Sequence, residues 1–80
     1  MSAMASYKFD DFRRVLERAG FTKIPGRKHE TWRKVLADGT ILRVRLSYQH
    51  GRDIPRWLFY EMLRQAGLDE ATFRKLLGRH

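Results

Sequence analysis

The residues of this sequence that could do chemistry are concentrated in one basic segment around a histidine. Within Gly26-Arg27-Lys28-His29-Glu30-Thr31-Trp32, His29 follows two cations and precedes an aromatic residue by three positions. The ordinary pKa of histidine lies near neutrality, so an imidazole can take up or release a proton at physiological pH. Arginines close to it would bind phosphate oxygens and stabilise negative charge developing on them. The segment therefore indicates proton transfer beside a phosphate group, as in removal of the 2′-hydroxyl proton during RNA cleavage, although a lone histidine in a basic segment is more often an ordinary surface residue.

Metal and thiol chemistry have no support in the sequence. The 80 residues include no cysteine, and the spacing of His29, His50 and His80 is not that of metal ligands. We therefore expect no metal and no cofactor. His50 is a candidate second proton-transfer group, but the favoured interpretation is a loop residue hydrogen-bonded to Asp53 or to helix N–H groups. The terminal His80 is expected to have no role.

The charge balance favours a polyanionic partner. Seventeen Lys and Arg against nine Asp and Glu give a formal net charge of +8. Such an excess attracts nucleic acid, an anionic membrane surface or an acidic protein. A surface on which the charges only improve solvation remains an alternative.

The organisation predicted from the sequence is one small domain in the cytoplasm. No apolar run approaches the roughly 20 residues of a membrane span. Residues 1–6 contain neither a basic leader nor an apolar signal core, and we interpret them as a disordered or vector-derived end. Residues 7–80 are expected to form a single domain with a thin hydrophobic core.

A helix is expected before the basic segment and two helices after it. The first has apolar residues at 3-4-3 spacing, with Gly20 as its C′ residue: Phe9, Phe12, Leu16 and Ala19. Its basic residues are expected to form a solvated face: Lys8, Arg13, Arg14 and Arg18. The second begins at Pro55 and ends at Gly67, and Asp69 caps a short third helix. Trp57 and Tyr60 could stack on bases, but core or interface positions are the favoured interpretation.

Between the first and second helices, three strands are expected at residues 21–24, 31–36 and 40–46. Pro25-Gly26 and Ala37-Asp38-Gly39 supply the turns of an antiparallel meander. Together with the helices this predicts an α+β fold of order αβββα plus a short C-terminal helix. The helices would cover one face of the sheet, as in the double-stranded-RNA-binding domain.

The alternation of side chains along the strands predicts one wet, basic face of the sheet. His29 and Trp32 are three residues apart and point to opposite faces, so a buried Trp32 leaves His29 in water. Arg33 shares that face, and Arg43 and Arg45 lie on the exposed side of the next strand. The residues expected to contact phosphates are Arg27, Lys28, Arg33, Arg43 and Arg45.

Several motifs together resemble the HicA family of toxins. They are Gly20-Phe21, the segment of residues 26–32, Asp38-Gly39, His50, Asp53-Ile54-Pro55-Arg56 and Leu63-Arg64-Gln65-Ala66-Gly67-Leu68. The resemblance covers roughly residues 7–77 and implies the double-stranded-RNA-binding-like fold and metal-independent cleavage of messenger RNA. It also implies a HicB-like antitoxin partner, in a type II toxin-antitoxin system linked to stress response.

The same resemblance implies that His29 is the catalytic general acid or base. The family pattern is Gly-Ser-His-x-x-aromatic, and here Arg27-Lys28 replace Gly-Ser; Trp57-Leu58 stand where the family often has Gly-Thr. Two alternatives to the endoribonuclease stay open. One is a non-catalytic module that binds double-stranded RNA or DNA, and the other is an adaptor whose basic surface docks an acidic protein.

Overall fold

Three helices and a three-stranded antiparallel sheet make up the part of the chain that the computed structural model describes, residues 6–48 and 51–78. The elements follow in the order α1 (Phe9–Arg18), β1 (Thr22–Ile24), β2 (His29–Val35), β3 (Ile41–Ser47), α2 (Arg56–Ala66) and α3 (Glu70–Leu77). The strands lie in the order β1-β2-β3. The α+β fold expected from the sequence, with its meander between helices, is confirmed.

Strand β2 begins at His29, two residues before the predicted start. His29 pairs with Ser47 and Glu30 with Leu46, so the first two residues of β2 are paired with β3 only. Charged residues have a weak intrinsic preference for strands, and here pairing with β3 extends the strand. His29 is therefore held in a ladder and not in a loop.

The helix ends follow the local signals in the sequence. The C-cap residue Gly67 of α2 is left-handed, with φ +68°, as expected for a glycine that ends a helix. Asp69 caps α3 by accepting a hydrogen bond from the Thr72 N–H at 2.7 Å. Pro55 is the N-cap of α2 and not its first helical residue.

None of the helices described in residues 6–48 and 51–78 combines the length and apolarity that a membrane span requires.

Aromatic rings dominate the core between the sheet and the helices. Phe59 and Phe73 have centroids 5.0 Å apart, and Tyr7 lies 4.9 Å from Phe59 and 4.8 Å from Phe73. Phe12 of α1 packs on Phe73 at 5.1 Å. The sheet contributes buried Trp32, Val44 and Leu46 to the same cluster. A small domain thus fills its core with a few large side chains whose rings bury much apolar area each.

The core alternative for Trp57 and Tyr60 is wrong, whereas the interface alternative stays a prediction. Trp57 is 72% exposed and Tyr60 43% exposed, and the Tyr60 hydroxyl donates to Glu70 at 3.1 Å. The buried stripe of α2 consists of Phe59, Met62, Leu63 and Ala66. At 100° per residue Trp57 lies on the side of the helix opposite this stripe, so its ring faces solvent.

Candidate active site

Successive residues of β2 lie on opposite faces of the sheet. Glu30 and Trp32 point into the core, with 2% and 6% of their surface exposed. His29 and Thr31 are half-buried on the other side, and Arg33 is exposed there. The strand register places Arg45 opposite Thr31 and Arg43 opposite Arg33. We call the side that carries these five residues, His29, Thr31, Arg33, Arg43 and Arg45, the outer face.

His29 and Arg45 are in direct contact on the outer face. The guanidinium of Arg45 approaches Nε2 of His29 with Nε at 3.1 Å and Nη2 at 2.7 Å. Arg45 is two residues from Ser47, the partner of His29, so the contact runs diagonally across the two strands. Because a guanidinium only donates hydrogen bonds, Nε2 must be the acceptor. In this arrangement Nε2 carries the lone pair, so the ring hydrogen is assigned to Nδ1.

Arg33 of β2 and Arg43 of β3 face each other, and no carboxylate in the described part of the chain pairs with either guanidinium. Both are exposed, and the side chain of neither forms a hydrogen bond or an ion pair to any residue in the described ranges. Like charges directly opposite each other on a sheet destabilise it. Arg27 and Lys28, in the turn before β2, are also exposed and have no partner within the described part of the chain. A bound polyanion would remove this repulsion.

Apolar side chains flank the arginines on the outer face. Ile24 pairs with Thr31, and Val35 pairs with Ile41, so all three apolar residues share the face. They are 41–53% exposed, and Val35 and Ile41 lie directly opposite each other. The outer face thus combines positive charge with apolar area, a combination suited to being covered by another molecule.

A buried ion pair lies directly behind His29, and the expectation that Arg13 belongs to a solvated face is wrong. The Arg13 side chain is 12% exposed and pairs with the Glu30 carboxylate. Arg13 also donates to the backbone oxygen of Ser47, the strand partner of His29. Glu30 accepts a further bond from Trp32 Nε1 at 2.9 Å. A buried carboxylate needs such partners because an unpaired charge in the core is costly.

Glu30 was detectable from the sequence and was missed. It lies two residues before Trp32, so the alternation that buries Trp32 also buries Glu30. A carboxylate at a core position signals a cationic partner from another element. Tyr48 was also missed: its hydroxyl bonds to the backbone of Gly26, in the turn before β2.

The predicted second histidine, His50, lies outside the described residues. Asp53, which the local interpretation of His50 would use as a partner, is exposed and forms an ion pair with Lys8 at 3.4 Å. Within residues 6–48 and 51–78, no cluster of three or more His, Cys, Asp or Glu is arranged to hold a metal ion. The described part of the site therefore consists of one imidazole, a hydroxyl from Thr31 and several cations.

A comparison with protein families places the chain. The family model described as HicA toxin of bacterial toxin-antitoxin matches residues 9–68. The match runs from the start of α1 to just beyond α2 and includes the whole outer face and the Arg13–Glu30 pair. Searches of curated proteins and of solved structures returned no match.

Proposed function

The chain belongs to the HicA toxin family of bacterial toxin-antitoxin systems, and from that membership we propose that it is a metal-independent endoribonuclease that cleaves messenger RNA in the cytoplasm. The observation that carries the proposal is the contact between His29 and Arg45 on a face where other arginines have no partner in the described structure. It brings a proton acceptor and a phosphate-binding group within 3.1 Å of each other. Those are two of the functions that phosphodiester cleavage by a 2′-hydroxyl needs.

We propose that His29 acts as the general base. A neutral imidazole with its hydrogen on Nδ1 has a lone pair on Nε2, which can take the proton of a ribose 2′-hydroxyl. The 2′-oxygen then attacks the adjacent phosphorus, the bond to the 5′-oxygen breaks, and a 2′,3′-cyclic phosphate forms. The leaving 5′-oxygen takes up a proton from a second group or from water. His50 stays the candidate for that second group.

Arg45 has to move for this reaction. In the free protein its guanidinium occupies Nε2, the atom that would accept the proton. Phosphate oxygens bind a guanidinium more strongly than a neutral imidazole does, because both partners are charged. We propose that the scissile phosphate draws Arg45 away, which frees Nε2 and places the cation where negative charge develops.

The remaining cations would bind the RNA backbone on either side. Arg33 and Arg43 repel each other in the free protein, so phosphate binding between them gains the relief of that repulsion. Arg27 and Lys28 extend the positive surface beyond His29 along the chain. Family membership implies an antitoxin of the HicB type, and we propose that it covers the outer face, including exposed Ile24, Val35 and Ile41.

The test is cleavage of RNA by the wild-type protein and by His29→Ala in the presence of a chelator. We expect the wild type to cleave and to leave 2′,3′-cyclic phosphates. We expect His29→Ala to lose about 10²- to 10⁴-fold in rate, the usual contribution of a general base. Cleavage by His29→Ala at the wild-type rate, or loss of wild-type cleavage on chelation, would contradict the proposal.

A non-catalytic module for double-stranded RNA or DNA is the second candidate. The uncompensated Arg33–Arg43 pair favours it, because that pair calls for a polyanion whether or not any chemistry follows. For such a module the wild type would bind nucleic acid without cleaving it, and His29→Ala would leave binding unchanged. Growth arrest on induction that requires His29 would favour the nuclease.

A further inference from the structure

The turn that precedes His29 is tied to the end of β3 by one side chain. The Gly26 N–H donates to the Tyr48 hydroxyl at 3.1 Å, and the same hydroxyl donates to the Gly26 carbonyl oxygen at 2.7 Å. Tyr48 directly follows Ser47, which pairs with His29. One phenolic oxygen thus satisfies both backbone groups of Gly26 and connects the turn to the strand beside His29.

Gly26 in turn is packed against the backbone of His29. A Cβ added at Gly26 would lie 2.5 Å from the His29 carbonyl oxygen, a distance that real side chains do not tolerate. The turn therefore folds back onto the peptide group of His29, and only glycine permits this approach. Any displacement of Gly26 must move the His29 backbone or open the turn.

From these two contacts we infer that Tyr48 is a positioning residue for His29. Its hydroxyl fixes Gly26, Gly26 abuts the His29 carbonyl, and the imidazole is thereby held where Arg45 reaches Nε2. This inference rests on the proposed function and deepens it. Tyr48 is 39% exposed and lies outside the core cluster, so Tyr48→Phe leaves the packing of the core unchanged.

The kinetic test compares Tyr48→Phe with Tyr60→Phe. Each substitution removes one hydroxyl from a partly exposed tyrosine, but the Tyr60 hydroxyl bonds to Glu70 in α3. We expect Tyr48→Phe to lower kcat for RNA cleavage about 10- to 100-fold, as a misplaced catalytic group does. KM should change by no more than about twofold, because the phosphate-binding arginines remain. A kcat for Tyr48→Phe equal to that of Tyr60→Phe would overturn the inference.

A second measurement does not depend on activity. In ¹⁵N-labelled protein without RNA, we expect Tyr48→Phe to shift the His29 imidazole signals and to speed amide exchange at Gly26, whereas Tyr60→Phe changes neither. Unchanged signals in Tyr48→Phe would overturn the positioning role. If the wild type does not cleave RNA, the proposed function fails, and the spectra still decide whether Tyr48 holds the turn.

Gly26→Ala tests the second contact in the same spectra, with Gly51→Ala as the matched control. A Cβ at Gly51 meets no atom within 4 Å, so that variant adds a methyl group without a collision. We expect Gly26→Ala to shift the His29 signals at least as far as Tyr48→Phe does. A Gly26→Ala protein that is folded and whose His29 signals match those of Gly51→Ala would show that the turn does not set the position of His29.

Discussion

His29 and Glu30 are neighbours in β2 whose side chains lie in opposite electrostatic environments. Glu30 is 2% exposed, and its carboxylate is bonded by Arg13 and by the indole of Trp32. His29 is half-buried, with a contact to Arg45 among arginines that no carboxylate compensates within the described structure. Charge is neutralised where burial makes it costly and is left unpaired where solvent screens it. A single strand thus separates the charge that stabilises the fold from the charge available to a ligand.

The largest expected effect on stability comes from removing the buried Glu30 carboxylate. Glu30→Ala removes the buried carboxylate of the Arg13–Glu30 pair and leaves Arg13 with the exposed Asp10 carboxylate and the Ser47 carbonyl oxygen. Breaking a buried ion pair in this way typically costs about 3–5 kcal/mol of unfolding free energy. His29→Ala, one residue away, should change stability by less than about 0.5 kcal/mol. Urea denaturation of both variants measures the difference. If Glu30→Ala does not fold, Glu30→Gln replaces it in the measurement, because its amide keeps an acceptor oxygen. Similar stabilities for Glu30→Gln and His29→Ala would contradict the expected difference between the buried and the exposed side of β2.

A smaller loss is expected when both buried charges are removed together. Arg13→Met with Glu30→Met leaves no unpaired ion in the core, so this double variant should be about 1–2 kcal/mol more stable than Glu30→Ala. It should stay below the wild type, because the Trp32 N–H and the Ser47 carbonyl lose their partners. The measurement is again urea denaturation. A double variant no more stable than Glu30→Ala would show that packing, and not charge, accounts for the loss.

On the outer face the effects on stability and on binding should have opposite signs. Arg33→Gln with Arg43→Gln removes the facing like charges and should stabilise the free protein by about 0.2–1 kcal/mol. RNA affinity should fall. The slope of log affinity against log salt is negative, and its magnitude should decrease by about 1.4 for two lost contacts to single-stranded RNA. The matched control is Arg14→Gln with Arg74→Gln, two exposed helix cations. Equal salt slopes for the two double variants would show that the outer face does not bind RNA.

The smallest expected effect lies away from both faces, at the N-terminus of α3. The backbone N–H of Thr72 holds the pKa of Asp69 below its ordinary value of 3.8. The folded state therefore favours the carboxylate, and its contribution is present above that value and is lost as the pH falls through the lowered pKa. Asp69→Ala should be slightly less stable than the wild type at pH 7 and equal to it in strong acid, with unchanged RNA cleavage. Thermal unfolding across this pH range tests it.

The alternation of residues in β2 and β3 was sufficient to predict which side chains share the outer face. It also implied that Glu30 is buried, but not that Arg13 is its partner, because the rotation of α1 about its axis is set by packing against the sheet and α3. Trp57 is exposed because its angle about the helix axis places it opposite the stripe that contains Phe59. The amino-acid composition alone does not reveal that angle. The Tyr48–Gly26 contact joins residues 22 positions apart, and no periodic pattern announces such a contact.

Arg43 and Arg45 lie on a strand at the edge of the sheet. β3 is an edge strand of the described sheet, seven residues long, and no other strand of that sheet pairs with its free edge. Edges of this kind invite pairing with a second chain, and charged side chains placed along them oppose it. The two arginines therefore also protect the protein against edge-to-edge aggregation. A variant that neutralises both would leave an uncharged strand edge beside exposed Ile41, and its failure in solution would be aggregation before any loss of fold.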